Sequence, residues 1–327
     1  METQSFSPAW LLDEFRAYER SLTLRTAIEL DLFTRIGAGV DTIPALAKAT
    51  RASVRGLRVL CDNLAAHQHL VKKSGRYRLT LNSRIFLSKD SPACFASTIR
   101  FLASDAYIKA FCDLLRSVKR GRARTLKTPW PDYARLMSPL AQDVAASVAE
   151  ALTADSAGPM RVLDVAAGHG LYGLALGAHN PQAEIYALDA ADVLRVAARN
   201  ARRAGLGKRF HSIPGDAFTT SFGGPYDLVL AGNIAHHFEP GANIKLFRKC
   251  RAALKPKGKL VVLDFVINED RVSPAAEAGF AIHLFATGSC DVYTLAEYRG
   301  MLRAAGFRRI TQGTPRGYGS WMIVSSR

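Results

Sequence analysis

The sequence has few cysteines and no long apolar run. Its five cysteines lie far apart among 327 residues, at Cys61, Cys94, Cys112, Cys250 and Cys290. An odd, scattered set without a C-x-x-C pair fits neither a zinc site nor a disulfide framework, and it is typical of a reducing compartment. No apolar run reaches the roughly 18 residues of a membrane span, and the N-terminus lacks the pattern of a secretory signal. We therefore expect a cytoplasmic protein without a bound metal or a membrane partner.

Acidic residues are also scarce, since 28 Asp and Glu stand against 44 Lys and Arg and give a net charge of +16. A basic surface attracts nucleic acid, anionic lipid or an acidic ligand, but it can equally be an arginine-rich solvated surface. Net charge alone does not decide between these interpretations.

The N-terminal third has helical periodicity followed by a hairpin pattern. Residues 9–35 are predicted to be helical, and Thr42 is a candidate N-cap for a short helix. A second helix follows in "SVRGLRVLCDNLAAH", and "LVKKSGRYRLT" predicts two short strands around Ser74 and Gly75. Helix, turn, helix and hairpin together predict a winged-helix domain over residues 1–95. Residues 96–154 are predicted to form a mainly helical linker, broken near Pro129 and Pro131.

Apolar strands alternate with amphipathic segments from Arg161 onward. The predicted strands cover residues 161–165, 184–189, 209–213, 226–231 and 259–265, and the C-terminus supplies two more as a closing hairpin. This alternation predicts an α/β domain over residues 155–327, with a mostly parallel sheet of seven strands covered on both faces.

The segment "RVLDVAAGHGLYGLALGAHNPQAEIYALDAADV", residues 161–193, matches the nucleotide-binding pattern G-x-G-x-x-G followed by an acid, Asp189. Glycines at 168 and 170 permit a tight turn close to a ligand, and a carboxylate at 189 can accept both hydroxyls of a ribose. A dinucleotide and other adenosyl ligands share these needs, so the pattern leaves both open.

Asp164 discriminates between a dinucleotide and other adenosyl ligands. It lies four residues before Gly168, at the end of the first strand. A carboxylate there would repel the pyrophosphate of a dinucleotide and attract a methionine ammonium or sulfonium. The sequence also leaves no room for a separate dehydrogenase substrate domain. We therefore predict S-adenosylmethionine as the cofactor. Further polar residues collect at the predicted ligand edge of the sheet, at Asp216, Asn233 and Asp264, whereas Asp227 begins its strand and is interpreted as structural.

The chain resembles the small-molecule class-I O-methyltransferases of bacteria and plants, which have an N-terminal winged-helix dimerisation domain. The matching motifs, in order, are "LDVAAGHG", "ALDAADV", "IPGDAF", "YDLVLAGNIAHHF", "LKPKGKLVVLDF" and "YTLAEYRGMLRAAGF". The resemblance implies a Rossmann-like doubly wound sheet and a homodimer formed through the N-terminal domain. It also implies cofactor contacts from Gly168 and Gly170, ribose contacts from Asp189, and adenine contacts from Asp216 and Phe218; Asp164 and Asn233 complete the predicted cofactor set.

Methyl transfer to a hydroxyl requires alignment of the acceptor and removal of its proton. A histidine suits the second task because its unperturbed pKa lies near 6.5. The motif "NIAHHFEP" supplies His236, which matches the catalytic histidine of the family by position, and His237 as an alternative base. Asp264 matches the acid that orients the base.

The sequence departs from the plant-type pattern beside these residues. His237 and Phe238 replace an acid and a tryptophan, and Val292 stands where that group has a second carboxylate. His283 is predicted on the segment over the pocket, where it either compensates for the missing carboxylate or is a core or solvated histidine. The predicted walls of an apolar acceptor pocket are Trp130, Tyr133, Met137 and Phe280.

Two alternatives stay open at this point. The same fold can methylate carbon, nitrogen or sulfur, or bind the cofactor without transferring methyl. A protein of another class, a DNA-binding regulator, would use Arg51, Arg55 and Arg58 on the second helix and the cations of the wing, Lys72, Lys73, Arg76 and Arg78. Because the family uses this module to pair subunits, we expect a small-molecule acceptor and no nucleic acid.

Overall fold

The computed structural model describes residues 8–153 and 158–313, together with the backbone of residues 321–326. The chain divides into two compact units, one ending at Ile108 and the other beginning at Lys109. The sequence placed functional boundaries near residues 95 and 154, and those boundaries stay predictions.

The first unit consists of short helices around a two-stranded hairpin. Its elements are α1 (Ala9–Phe15), α2 (Ala17–Glu29), α3 (Leu32–Gly37), α4 (Ile43–Thr50), α5 (Val54–Ala66), β1 (Leu70–Lys73), β2 (Arg76–Leu79), α6 (Leu81–Phe86) and α7 (Ala96–Leu102), and α8 (Asp105–Cys112) contains the division between the units.

The winged-helix order of α4, α5, β1 and β2 is as predicted from the sequence. Leu57, Cys61 and Leu64 are buried on one face of α5, and the Ser53 side chain accepts a hydrogen bond from the Gly56 backbone N–H at 3.0 Å. Thr42 is the N-cap residue of α4 as expected, but its side chain forms no capping hydrogen bond.

The second unit is an α/β domain. Its elements are α9 (Leu114–Arg120), α10 (Trp130–Thr153), β3 (Met160–Val165), α11 (Leu171–His179), β4 (Ala183–Asp189), α12 (Ala191–Arg203), β5 (Phe210–Pro214), β6 (Tyr226–Gly232), α13 (Pro240–Ala253), β7 (Leu254–Asp264), α14 (Ala275–Thr287), α15 (Leu295–Ala304), β8 (Arg309–Gly313) and β9 (Trp321–Ser326).

Seven strands among the described residues form one sheet in the order β5-β4-β3-β6-β7-β9-β8. The first five are parallel, and β9 runs antiparallel to both β7 and β8. This is the predicted doubly wound sheet with its C-terminal antiparallel strands. Because parallel strands end at one edge, Asp164, Asp189 and Asp264 lie at the same edge of the sheet.

Side chains of alternate strand residues pack on opposite faces of the sheet. Leu163 and Val262 belong to the core that includes α13 and α15 residues, whereas Val162 and Val261 belong to the core that includes α10 and α11 residues. Burial of both faces explains why these strands are almost continuously apolar in the sequence.

Asp227, the second residue of β6, lies where the parallel strands begin, away from the predicted ligand site. Its carboxylate accepts hydrogen bonds from the Arg161 backbone N–H at 2.9 Å and from the Lys255 Nζ at 2.8 Å. These bonds join the beginnings of three strands and support the structural interpretation of this residue.

Candidate active site

The loop between β3 and α11 uses its glycines for different purposes. Gly168 and Gly170 have φ angles of +56° and +76°, a conformation that favours glycine. At Gly173, an added Cβ would lie 2.8 Å from Ile185 Cγ2 and 3.2 Å from Asp164 Oδ2. The first two glycines therefore shape the turn, and the third lets α11 approach the sheet.

Asp164 is a buried carboxylate beneath this loop, with only 1% of its surface exposed. Its Oδ2 accepts a hydrogen bond of 3.2 Å from the Gly173 backbone N–H, and in the described part of the chain it forms no ion pair. Burial raises the pKa of Asp164 to about 7, and the charge of Asp189 adds to this increase. A cation bound at this edge would stabilise the ionised form.

Asp189 ends β4 and is held by the backbone on both sides. Its Oδ2 accepts a hydrogen bond from the Gly168 N–H at 2.8 Å, and its Oδ1 accepts one from the Ala190 N–H at 2.7 Å. Burial raises the pKa of Asp189 despite these two bonds. Each carboxylate oxygen has a second acceptor direction, so the oriented group can still accept two vicinal hydroxyls.

Asp216 and Phe218 follow β5 in a turn that the Asp216 side chain stabilises. Asp216 Oδ1 accepts hydrogen bonds from the backbone N–H groups of Phe218 at 2.9 Å and Thr219 at 3.1 Å. The Phe218 ring makes an edge contact with Phe238 at a centroid distance of 4.8 Å. An exposed carboxylate can accept hydrogen bonds from the edge of a purine, and the aromatic ring beside it can pack against the purine face.

His236 and Asp264 form a buried pair at the ends of β6 and β7. His236 Nδ1 lies 2.6 Å from Asp264 Oδ1, and the His236 backbone N–H donates to Asp264 Oδ2 at 3.3 Å. The Phe265 backbone N–H also donates to Asp264 Oδ1 at 2.9 Å. Burial opposes ionisation of Asp264, but the charge and hydrogen bonds of His236 prevail and lower the pKa of the carboxyl. The ionised carboxylate therefore holds a proton on Nδ1, and in the neutral imidazole this tautomer leaves Nε2 as an acceptor.

His237 lies beside this pair but has a different environment. Its ring centroid is 4.3 Å from that of His236, and its Nδ1 lies 3.1 Å from Ser289 Oγ. Burial and the neighbouring His236 lower the pKa of His237 to about 3. At neutral pH this imidazole is uncharged and a much weaker base than an ordinary histidine.

Aromatic rings surround the histidine pair. Phe280 on α14 contacts His236 edge-on at 5.2 Å and packs against Phe265 at 4.1 Å, and His283 stacks on Phe280 at 6.0 Å. On α10, Trp130 contacts His237 at 5.6 Å.

Tyr133 packs against Trp130 at 5.5 Å, and burial together with the charge of Asp264 raises the pKa of Tyr133. Of the five predicted pocket residues, Phe280 and Trp130 thus contact the two histidines, and His283 and Tyr133 pack against those two rings. Met137 is half-buried and shares their face of α10, one turn beyond Tyr133.

Several residues of this region carried no sequence signal. Ser289 reaches His237 from the loop after α14, Phe265 stacks under Phe280, and Phe111 lies 6.1 Å from His283. Tyr172 stands inside the glycine motif, yet the motif assigns it no task. These contacts depend on tertiary packing, which spacing within one segment does not reveal.

The described residues contain no group of three or more His, Cys, Asp or Glu side chains arranged to hold a metal ion. Within residues 8–153, three of the predicted DNA-contacting cations pair with acids: Arg58 and Lys72 with Asp62, and Arg76 with Asp41. No helix in the described ranges has the length and apolar character to cross a bilayer.

Comparison with known proteins identifies both parts of the chain. The O-methyltransferase domain model matches residues 127–308, and the O-methyltransferase dimerisation domain model matches residues 12–89. A crystal structure of a protein from Nostoc punctiforme is 37% identical, with a TM-score of 0.93 over 99% of this chain and 100% of that chain.

Two further relatives are more distant. A 3-hydroxy-5-methyl-1-naphthoate 3-O-methyltransferase of Streptomyces sahachiroi is 25% identical over 91% of this chain and 89% of its own. Human N-acetylserotonin methyltransferase, solved with S-adenosylmethionine, is 20% identical with a TM-score of 0.87 over 100% of this chain and 99% of its own.

The fold and the strand-end site define a class-I methyltransferase that uses S-adenosylmethionine. The chain belongs to the O-methyltransferase family, and it is an enzyme that methylates a small metabolite.

Proposed function

We propose that this enzyme methylates a hydroxyl group on a small, flat, uncharged aromatic metabolite, with His236 as the general base. The hydrogen bond between His236 and Asp264 carries the proposal, because it directs a proton-accepting nitrogen away from the sheet. If the acceptor atom were carbon, nitrogen or sulfur, the role of His236 Nε2 as a base would be less clearly defined.

The protein's own residues supply alignment and proton removal. His236 Nε2 accepts the hydroxyl proton as the acceptor oxygen attacks, and Asp264 stabilises the resulting imidazolium. A positioned base of this kind typically contributes about 10²–10⁴ in rate. The bound cofactor supplies an electrophilic methyl group with a neutral leaving group. Burial of the pair keeps competing water away from the acceptor oxygen.

The surroundings of His236 favour an aromatic, uncharged acceptor. Phe280 and Trp130 offer ring faces and edges, and His237 is neutral because its pKa lies far below 7. Burial also lowers the pKa of His283, so this side chain adds no charge at neutral pH. A charged acceptor ring would lose its hydration here without gaining a partner.

The residues at the sheet edge fit the cofactor. We assign the ammonium to Asp164 and Asn233, the backbone approach to Gly168 and Gly170, the ribose to Asp189, and the adenine to Asp216 and Phe218. The raised pKa of buried Asp164 supports this assignment, since a cationic ligand would restore its ionised form.

Departure from the plant-type pattern leaves Asp264 as the orienting acid. Val292, which stands where that group has a second carboxylate, is fully buried. We therefore propose that one carboxylate suffices, with the hydrogen bond between His237 Nδ1 and Ser289 Oγ fixing the neighbouring ring. No metal has a task in this scheme, so methyl transfer should continue in a chelating buffer.

We also propose the assembly and location of the enzyme. Residues 1–95 would form the homodimer, residues 96–154 would contribute to the acceptor pocket, and residues 155–327 would bind S-adenosylmethionine in the cytoplasm. The dimerisation match at residues 12–89 supports the first assignment.

A matched acceptor panel tests the proposed reaction. The enzyme is given S-adenosylmethionine with a ¹³C-labelled methyl group and one of four acceptors: 2-naphthol, 2-naphthylamine, 2-naphthalenethiol or 2-hydroxynaphthoate. The proposal predicts a methoxyl product from 2-naphthol at a higher kcat/KM than from the other three. A methyl group found mainly on carbon, nitrogen or sulfur would contradict it.

A further inference from the structure

Tyr172 lies across the end of β6 in a space that only glycine leaves open. Its side chain projects from the first turn of α11, and its residue is 5% exposed. An added Cβ at Gly232 would lie 2.9 Å from Tyr172 Cε2 and 3.0 Å from Cδ2. Gly232 therefore lets the tyrosine ring reach the residue that follows the strand.

That residue is Asn233, whose backbone is held in the left-handed region. Its φ angle is +52°, and its backbone N–H donates to the Leu263 carbonyl at 2.7 Å. Its Nδ2 donates a 3.0 Å hydrogen bond to the Tyr172 hydroxyl oxygen. Its Oδ1 is buried and has no hydrogen-bond partner in the described part of the chain. Because Nδ2 faces Tyr172, Oδ1 necessarily faces away from it.

The Tyr172 hydroxyl oxygen is the acceptor in this hydrogen bond. Burial raises the pKa of Tyr172, and the charges of Asp164 and Asp264 add to the increase, so the phenol keeps its proton at neutral pH. By accepting from Asn233 Nδ2, the hydroxyl holds the amide with Oδ1, and not its NH₂ group, on the side away from Tyr172.

Asn233 and Asp164 belong to the same edge of the sheet. Asp164 is on β3, which pairs with β6 through Asp164 and Leu230, and Asn233 directly follows β6. Around Tyr172 the structure thus collects a buried carboxylate and a buried amide oxygen, both acceptors. A primary ammonium group, with three donors and a positive charge, matches this pair.

We propose that Tyr172 is a positioning residue that fixes the Asn233 amide so that its Oδ1, together with Asp164, binds the ammonium group of the cofactor. This inference rests on the proposed cofactor contacts of Asp164 and Asn233. It adds the Tyr172 hydroxyl and the open position at Gly232 as the elements that orient the second acceptor. A reversed amide would point two N–H donors at a cation.

The first test compares two ligands that differ in the amino-acid part. S-adenosylhomocysteine carries the ammonium, and 5′-methylthioadenosine has the same nucleoside thioether without it. In calorimetry, Tyr172→Phe should weaken S-adenosylhomocysteine binding about tenfold and leave 5′-methylthioadenosine binding unchanged. Tyr226→Phe is the matched control: its buried hydroxyl also donates one hydrogen bond, to the Phe222 carbonyl, at the opposite end of β6. Tyr226→Phe should change neither affinity.

The second test is a rescue. A carboxylate has two equivalent oxygens and needs no orienting partner, and Asp, like Gly, tolerates the left-handed backbone of position 233. Asn233→Asp should therefore restore S-adenosylhomocysteine affinity in the Tyr172→Phe background, whereas Asn233→Gly should not.

Three results would overturn the proposal. One is unchanged S-adenosylhomocysteine binding by Tyr172→Phe, another is an equal loss of both ligands, and the third is a failure of Asn233→Asp to rescue. If the wild-type protein binds 5′-methylthioadenosine but gains nothing from the amino-acid part, the cofactor contacts in the proposed function fail instead.

Discussion

At the scale of single residues, the buried pair of His236 and Asp264 is the chemical centre of the second unit. Both residues are at most 2% exposed, and their hydrogen bond of 2.6 Å joins the ends of two adjacent parallel strands. The carboxylate has two functions: it orients the imidazole in one tautomer, and its negative charge stabilises the imidazolium.

Asp264→Asn separates these functions from packing, because the amide has nearly the same shape. We expect kcat to fall about 10²–10⁴-fold, since an amide can donate to Nδ1 and leave the proton on Nε2. The affinity for S-adenosylhomocysteine should stay unchanged. The measurement is steady-state kinetics with 2-naphthol beside calorimetry, and a kcat within threefold of wild type would contradict the orienting role.

The substitution Asp164→Asn tests, through the free energy of unfolding, whether burial raises the pKa of this carboxyl group. The unfolded aspartate titrates near 3.9, whereas burial raises the pKa of folded Asp164 to about 7. Between these values the folded protein keeps a proton that the unfolded chain has lost. The free energy of unfolding therefore decreases as the pH rises from about 4 to 7, and this decrease levels off above pH 7.

The cofactor-free Asn variant should therefore gain stability over wild type, increasingly from pH 4 to pH 7, by up to about 1.4 kcal/mol per pH unit. Urea unfolding at several pH values measures this gain. The variant should also bind S-adenosylhomocysteine more weakly. A stability difference that does not change with pH would show that Asp164 titrates as an ordinary exposed aspartate.

The sequence predicted the strand-end residues of the site and most of the aromatic rings around them, but not all of their neighbours. Asp189 and Asp264 were predictable because parallel strands end at a common edge, and the apolar runs mark where strands end. Ser289, Phe265 and Tyr172 were not, because each acts through a neighbour distant in sequence. The roles of the site residues stay predictions until variants are measured.

At the scale of elements, the end of α14 joins the site to the segment before Trp130. Gly288 caps this helix with a φ angle of +80°, and the Leu126 backbone N–H donates to the Thr287 carbonyl at 2.9 Å. An added Cβ at Gly288 would overlap the backbone of Thr125. Ser289 and Trp130, which both contact His237, lie next to this junction in the chain.

Gly288→Ala should therefore destabilise the protein by about 2 kcal/mol or more, from the left-handed backbone and the overlap together. Gly279→Ala is the control on the same helix, where an added Cβ meets no atom within 4 Å. That variant should gain about 0.5–1 kcal/mol because glycine is a poor helix former. Urea unfolding measures both, and equal stability of the two variants would contradict the packing described.

The elements themselves were largely predictable, with boundary differences that have physical reasons. The strand predicted at 259–265 begins at Leu254 instead, because Leu254 pairs with Tyr226 across a register shift before Lys259 pairs with Leu228. Pro256 and Gly258 inside this segment resemble a turn. The break predicted near Pro131 also differs, since α10 begins at Trp130 and takes Pro131 into its first turn, where proline lacks no hydrogen bond.

At the scale of the whole molecule, part of the excess positive charge in the winged-helix domain is paired with acids. The winged-helix order is present, but Arg58, Lys72 and Arg76 are engaged with acids of the same unit. Membership of the O-methyltransferase family, with its dimerisation domain, gives the winged helix another task.

Helix α1 presents apolar side chains that suit this task. Trp10 and Phe15 are 66% and 67% exposed, and no residue of α1 is buried. Replacing both by serine should convert a homodimer into a 35.6 kDa monomer, as measured by light scattering after gel filtration. Leu115→Ser is the control, since Leu115 is 69% exposed on α9 and should leave the dimer intact. A wild-type monomer, or a dimer that survives the double substitution, would contradict dimerisation through the N-terminal domain.

The most direct test of the account is the single-turnover rate of methyl transfer to 2-naphthol by His236→Gln and His237→Gln, with S-adenosylhomocysteine affinity measured for both. We expect His236→Gln to lose about 10²–10⁴ in rate at unchanged affinity, and His237→Gln to lose less than tenfold. A larger loss in His237→Gln, or a normal rate in His236→Gln, would contradict the assignment of His236 as the base.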